Sequence, residues 1–140
     1  MLPISLYGSN GIDGYHSDYL IEAPAVIVGR KGSVGKVNWI EQNCTPIDTT
    51  FYVQVNSKYI NLRYSFFVLK HLELDKLSGG VGVPGLNRNS IYTLKCNLPS
   101  LSEQHNIISQ IEPFEKEIEE AKQFLTNSIE LKQELLNKYL

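Results

Sequence analysis

The sequence predicts an α+β protein: a strand-rich head with one packed helix, followed by a long C-terminal helix of coiled-coil type. Three observations predict it. Short apolar, β-branched and aromatic runs alternate with glycine loops through residues 1–101. One longer segment within that part carries apolar residues at helical spacing. Residues 102–140 contain no glycine and repeat apolar side chains mostly in steps of four and three. The natural division is therefore a head, 1–101, and a helical region, 102–140. With 140 residues, 42% hydrophobic and 20% charged, the chain can bury a core. It is too short for a nucleotide-binding domain plus a separate catalytic domain, so any chemistry is compact or belongs to a partner.

The first segment, Tyr7-Gly8-Ser9-Asn10-Gly11-Ile12-Asp13-Gly14-Tyr15, reads as a loop because its three glycines supply turns. Ala25-Val26-Ile27-Val28-Gly29 and Lys36-Val37-Asn38-Trp39-Ile40 read as strands joined by Arg30-Lys31-Gly32-Ser33-Val34-Gly35. A third strand is expected over Thr49-Thr50-Phe51-Tyr52-Val53-Gln54-Val55. Asn56 or Ser57 can cap a helix from Tyr59 to Leu77, with Ile60, Tyr64, Phe67 and Leu74 at helical spacing and Ser78-Gly79-Gly80 as its stop. A glycine-rich loop, Gly79 to Asn89, then leads into a strand expected from Ile91 to Asn97, ended by Leu98-Pro99.

The tail divides at Pro113 into a short helix, Ser102 to about Glu112 with Ser102 as cap, and a long one with Pro113 in its first turn. At 1.5 Å per residue the long helix extends roughly 40 Å. Ile107, Ile111, Phe114, Ile118, Ala121 and Leu125 form a regular seam, and the longer step to Ile129 is a stutter that locally unwinds a supercoil. The short helix is expected to pack on its own head. From Pro113 on, a head of this size offers too little surface to cover the stripe, which predicts a partner helix along Ile118, Ala121, Leu125, Ile129 and Leu136.

Charge separates the same two parts. The formal net charge is −2, but residues 1–101 hold nine Lys/Arg against seven Asp/Glu, and residues 102–140 hold four Lys against eight Glu. A head of net +2 is compatible with a polyanion without demanding one. Cys44 and Cys96 fit neither a disulfide framework nor a metal spacing, which points to a reducing compartment. No run reaches the roughly 18 apolar residues of a membrane span. The first residues lack the basic start and apolar stretch of a secretion signal, so the cytoplasm is the expected location.

Several motifs fail on inspection. Gly29-Arg30-Lys31-Gly32-Ser33-Val34-Gly35-Lys36 resembles a P-loop, but Arg30 replaces its first glycine and Val37 its magnesium-binding hydroxyl. What remains is a glycine-flexed hairpin with three cations and a serine, able to meet phosphates or base edges, or simply an exposed polar hairpin. Gly80-Val81-Gly82-Val83-Pro84-Gly85 matches GxGxxG, but it follows a helix and contains a proline, the wrong setting for a dinucleotide. Asn87-Arg88-Asn89 has side chains that pair with adenine and guanine, though a turn with a surface arginine has the same letters. His16, His71 and His105 share no metal spacing, so no metal or cofactor is expected. Asp48 lies beside Thr49 and Thr50 without a nucleophile and base set, and Trp39, Phe51, Phe66 and Phe67 read as core.

Five stretches, taken in order, resemble the specificity subunits of type I restriction-modification systems. They are Tyr7 to Ile12, Gly29 to Gly35, Ile47 to Phe51, Val83 to Arg88, and Leu98-Pro99-Ser100-Leu101-Ser102-Glu103-Gln104. The resemblance implies a target recognition domain that reads double-stranded DNA, joined to a spacer helix. Methylation and cleavage would then lie in methyltransferase and restriction/translocase subunits. With the loop residues already singled out, the candidate DNA contacts are Ser9, Asn10, Arg30, Lys31, Ser33, Lys36, Asn87 and Arg88. A complete subunit of that family carries two recognition domains and two helices, and its recognition domain begins earlier. One short domain and one helix imply either a short natural form that pairs with a second copy or a truncated remnant of a subunit. The alternatives are a coiled-coil protein-interaction adaptor and a detached recognition fragment of a single-chain restriction-methyltransferase.

Overall fold

The structure is a computed structural model describing residues 3–79, 82 and 84–140. The GxGxxG match includes Gly80, Val81 and Val83, which lie outside the described residues. The chain forms two units, residues 1–101 and 102–140.

The head holds two three-stranded sheets. In the first, β1 (Ile4–Gly8) lies between β2 (Gly11–His16) and β5 (Cys44–Pro46), antiparallel to one and parallel to the other. The expected loop from Tyr7 to Tyr15 is thus mostly a β-hairpin, with Gly8 paired to Gly11 and only Ser9-Asn10 turning. Its glycines lie within the strands and beside a bulge, so their density reads as a loop although cross-strand pairing holds them extended. Strand β5 has no counterpart among the expected strands. Three residues ending in proline carry no periodic signal, and they become a strand only because β1 pairs with them.

In the second sheet β3 (Ala25–Gly29) runs between β4 (Val37–Ile40) and β6 (Thr50–Tyr52), antiparallel to both. β3 is buried along its whole length, and side-chain alternation sends its residues into two cores. Ala25 and Ile27 join Ile40 and Cys44, with Tyr7 and Ile21 against them. Val28 joins Leu74 and Leu86, beneath Phe51, Val53, Leu69 and Ile91. Burial raises the Cys44 thiol above its ordinary range, and burial together with Cys44 and Tyr15 raises the Tyr7 hydroxyl.

The expected helix from Tyr59 to Leu77 is shorter. Helix α1 spans Leu62–His71, and its cap is Asn61, whose Oδ1 accepts from the backbone N–H of Arg63 at 2.8 Å and of Tyr64 at 3.3 Å. Asn56 instead closes its own turn by accepting from Lys58. Glu73, at φ 49°, ends the α-helical path, and a 3-10 turn at Leu74–Leu77 carries Leu74 into the core. Phe66 is buried, whereas Trp39, Phe51 and Phe67 are half-buried. The Arg63 guanidinium lies over the rings of Trp39, Phe66 and Phe67 at 4.5, 5.0 and 4.8 Å.

The strand expected from Ile91 to Asn97 is absent. Arg88–Tyr92 forms the short helix α2, because Asn87 caps it by accepting from the N–H of Asn89 at 2.8 Å. The tail is one helix, α3, Leu101–Tyr139, not two. Pro113 lies inside it and Ser102 is helical, so neither marks a start. A proline costs one intrahelical hydrogen bond, and the long glycine-free run on both sides carries the helix across it. Among the described residues no helix is long and apolar enough to cross a membrane.

Candidate nucleic-acid interface

Four loop segments are fastened together at the C-terminal end of β3. Gly29 N–H donates to Lys36 O at 2.8 Å and Gly35 N–H to Gly29 O at 2.9 Å, closing the 30–36 loop. The N–H groups of Arg30 and Lys31 both donate to Thr49 O, at 2.8 and 3.1 Å, tying that loop to the start of β6. Leu86 N–H donates to Arg30 O at 2.8 Å, and a bridge pairs Lys31 with Gly85. Ser33 N–H donates to Ser9 Oγ at 3.3 Å and Ser33 Oγ donates to Asn10 Oδ1, which clasps the loop to the hairpin turn.

The side chains gather on Phe51. The guanidinium of Arg30 sits 5.7 Å from the ring centroid and that of Arg88 5.3 Å. Arg30 Nη1 also donates to the backbone oxygen of Asp48 at 3.4 Å. A depression of about 570 Å³ lies between them, lined by Lys31, Asn87 and Asn89 as well. Among the described residues no carboxylate pairs with Arg30, Lys31 or Arg88. Stacking on an aromatic face orients a guanidinium while leaving its in-plane N–H groups for an acceptor, and phosphate oxygens and guanine edges are such acceptors.

The eight candidate residues therefore separate into groups. Arg30, Lys31, Asn87 and Arg88 share the depression. Ser9 is only 5% exposed and, with Asn10 and Ser33, builds the clasp that fixes the loop. Asn87 spends its carbonyl oxygen on capping α2, which competes with a bidentate adenine contact. Lys36 is exposed and lies outside the depression. Sequence reasoning missed Phe51 as the platform, and Asn89, noticed with Asn87 and Arg88 but not among the eight candidates, lines the depression too. Position 51 stands within one of the five resembling stretches, but its type reads as core.

A second exposed surface belongs to α3. Its first turns bury Gln104 and Ile108, whereas every residue from Lys116 on is exposed. Continuing the register of Ile118, Ala121 and Leu125 brings Ser128, Lys132, Leu135 and Tyr139 into the seam. Ile129 and Leu136 then lie on one flank of it and Phe124 and Leu131 on the other. Earlier flanking positions are polar at Gln110, Glu115, Glu117 and Lys122. The apolar stripe thus widens from Phe124 onward.

The family model for the type I restriction modification DNA specificity domain matches residues 3–131. The chain belongs to that family. No curated protein sequence matches it. The S subunit of a type I restriction-modification system from M. genitalium has a similar fold, with a TM-score of 0.71 and 16% identity over 84% of this chain and 33% of that one. A chain from a structure describing complex assembly and conformational transition of the type I R-M system gives a TM-score of 0.69 and 12% identity, over 89% of this chain and 34% of that one. The chain thus spans about a third of the length of these two structures. The α+β architecture is that of a specificity domain, whose family role is DNA target recognition.

Proposed function

We propose that this specificity domain reads a DNA half-site through the Arg30, Lys31 and Arg88 depression and catalyses nothing itself. The observation that carries the reading is the pair of guanidiniums oriented on Phe51 without a carboxylate partner, on loops locked to one another. Methyl transfer and cleavage belong to methyltransferase and restriction/translocase subunits working in the cytoplasm. Helix α3 is the assembly device: its narrow stripe suits one helix, a second copy of itself. The wide stripe from Phe124 needs more than one neighbour, which suits helices of a methyltransferase subunit.

The test is a fluorescence-anisotropy titration of the full chain with mixed-sequence duplex at two salt concentrations. Binding should weaken as salt rises, and Arg30→Ala or Arg88→Ala should lower affinity without unfolding the head. Removing an arginine that meets only a phosphate weakens binding to all sequences alike and lowers the salt slope by about one. Removing one that meets a base costs about 1–3 kcal/mol at one position. The exposed α3 also suits an adaptor that binds only protein, and the absence of salt-sensitive DNA binding would favour that reading.

A further inference from the structure

The depression over Phe51 has two chemically different walls. One comes from the 30–36 loop and presents two neighbouring exposed cations, Arg30 and Lys31. The other is Asn87-Arg88-Asn89, a guanidinium between two carboxamides, all three residues exposed. The bridge from Lys31 to Gly85 and the bond from Leu86 N–H to Arg30 O hold the walls side by side. Both guanidiniums lie over the Phe51 ring, but they are engaged differently. Arg30 also donates from Nη1 to Asp48 O at 3.4 Å, whereas the guanidinium of Arg88 meets no hydrogen-bond acceptor among the described residues.

The two walls suit different parts of a duplex. Phosphate oxygens only accept, so cations satisfy them and a carboxamide oxygen is wasted on them. A base pair in the major groove offers donors and acceptors side by side. Asn87 spends its Oδ1 on the cap of α2, but the side chain of Asn89 makes no hydrogen bond among the described residues and keeps both a donor and an acceptor. The 87–89 wall therefore matches base edges and the 30–31 wall matches the backbone. Within the 87–89 wall Arg88 offers two parallel N–H donors, and the base edge that accepts both is that of guanine, at O6 and N7. The bond to Asp48 competes with such a fork at Arg30, which leaves it a contact that needs charge rather than two-point geometry.

We propose that Arg88 reads one guanine of the target through O6 and N7, while Arg30 and Lys31 hold the phosphates beside it. The assignment rests on the DNA reading of this depression. Loss of Arg88 then erases one position of the target, and loss of Arg30 weakens binding to every sequence alike.

The experiment starts from a pool of duplexes with a randomised segment, selected on the full chain and sequenced. Wild type should enrich a motif, and Arg88→Ala should enrich the same motif with the preference at one G·C pair lost. Arg30→Ala should keep that preference, bind all sequences more weakly and lower the salt slope by about one. On the selected duplex, replacing that guanine by 7-deazaguanine removes the N7 acceptor and preserves base pairing. It should weaken wild-type binding about tenfold and change Arg88→Ala binding by less than about twofold. Arg88 is exposed, so its replacement leaves the head folded, and scanning 7-deazaguanine through the duplex tests the contact on the wild-type chain itself. An enriched motif without a G·C pair overturns the assignment and leaves the DNA reading standing. So does an unchanged motif in Arg88→Ala, an equal loss from 7-deazaguanine in both chains, or salt-sensitive binding that enriches no motif. Failure to bind any duplex removes the DNA reading, and the assignment falls with it.

Discussion

Gly29, Gly32 and Gly35 decide the course of the loop that carries Arg30 and Lys31. A Cβ at Gly29 would overlap the carbonyl of Ser33, and one at Gly35 would overlap the backbone of Leu74 and Asp75. Gly32 and Gly35 also have φ of +78° and +77°, where a side chain is strained. Their spacing resembles a phosphate cradle, but its use is close packing. Gly35→Ala should therefore destabilise the head by about 2–5 kcal/mol, from the left-handed backbone plus overpacking. Chemical denaturation measures it, and a destabilisation below about 1 kcal/mol would show that the loop can move aside. The two thiols should differ as well. Cys44 is fully buried with its thiol pushed up by burial, whereas Cys96 is exposed. A thiol reagent at pH 8 should titrate Cys96 rapidly in the folded chain and reach Cys44 only on unfolding. Rapid reaction of both would contradict the described core.

Local chemistry competed with periodicity in each helix. The run from Tyr59 to Leu77 has helical spacing throughout, yet only ten residues of it form α1. The cap at Asn61 and the left-handed Glu73 set its ends. Around α2, the β-prone Ile91-Tyr92-Thr93 follows an asparagine cap, and the cap prevailed because no sheet edge is paired there. In α3 the proline lost to its neighbours. Pro113 still withholds one N–H donor, so Pro113→Ala should raise helix stability by up to about 3 kcal/mol. A thermal melt followed by circular dichroism reads this as a higher midpoint. A lower midpoint would mean that the proline makes a contact worth more than the bond it removes.

Considered as a whole, the chain leaves a long apolar stripe in water, which asks for a partner. Within the helical region, residues 102–121 carry six Glu and one Lys, whereas residues 122–140 carry three Lys and two Glu. Two copies running antiparallel set the acidic half of one beside the more basic half of the other, while a parallel pair sets acid beside acid. A twofold pair uses the same patch on both chains. We predict a dimer by sedimentation equilibrium, converted to monomer by Ile118→Glu with Leu125→Glu. Recognition domains attached to opposite ends of the pair would read identical half-sites in opposite orientation, so the target should be an interrupted palindrome. A wild-type chain that stays monomeric at high concentration leaves the stripe to another subunit.

The amino-acid order alone determined those parts of the fold whose signal is local and repeated. Strands β3, β4 and β6, a helix between them and the glycine-rich loop, and a glycine-free helical tail were all legible from runs and periods of a few residues. So were the cations at positions 30, 31 and 88, because exposed charge in a glycine loop needs no tertiary context to be noticed. Tertiary structure decided the rest. Strand β5 exists through pairing between residues as far apart as Tyr7 and Pro46, which no short window of sequence contains, and the β1–β2 hairpin through cross-strand pairing that its glycines conceal. Ser9 turned from a candidate contact into a buried acceptor because the 30–36 loop folds onto it. Phe51 packs on the core as its type suggests and also serves as a platform, because two arginines from separate loops meet on its ring. Periodicity reports which face of an element is apolar. Only the closure of the chain on itself decides which elements that face meets, and which side chains remain free to meet something else.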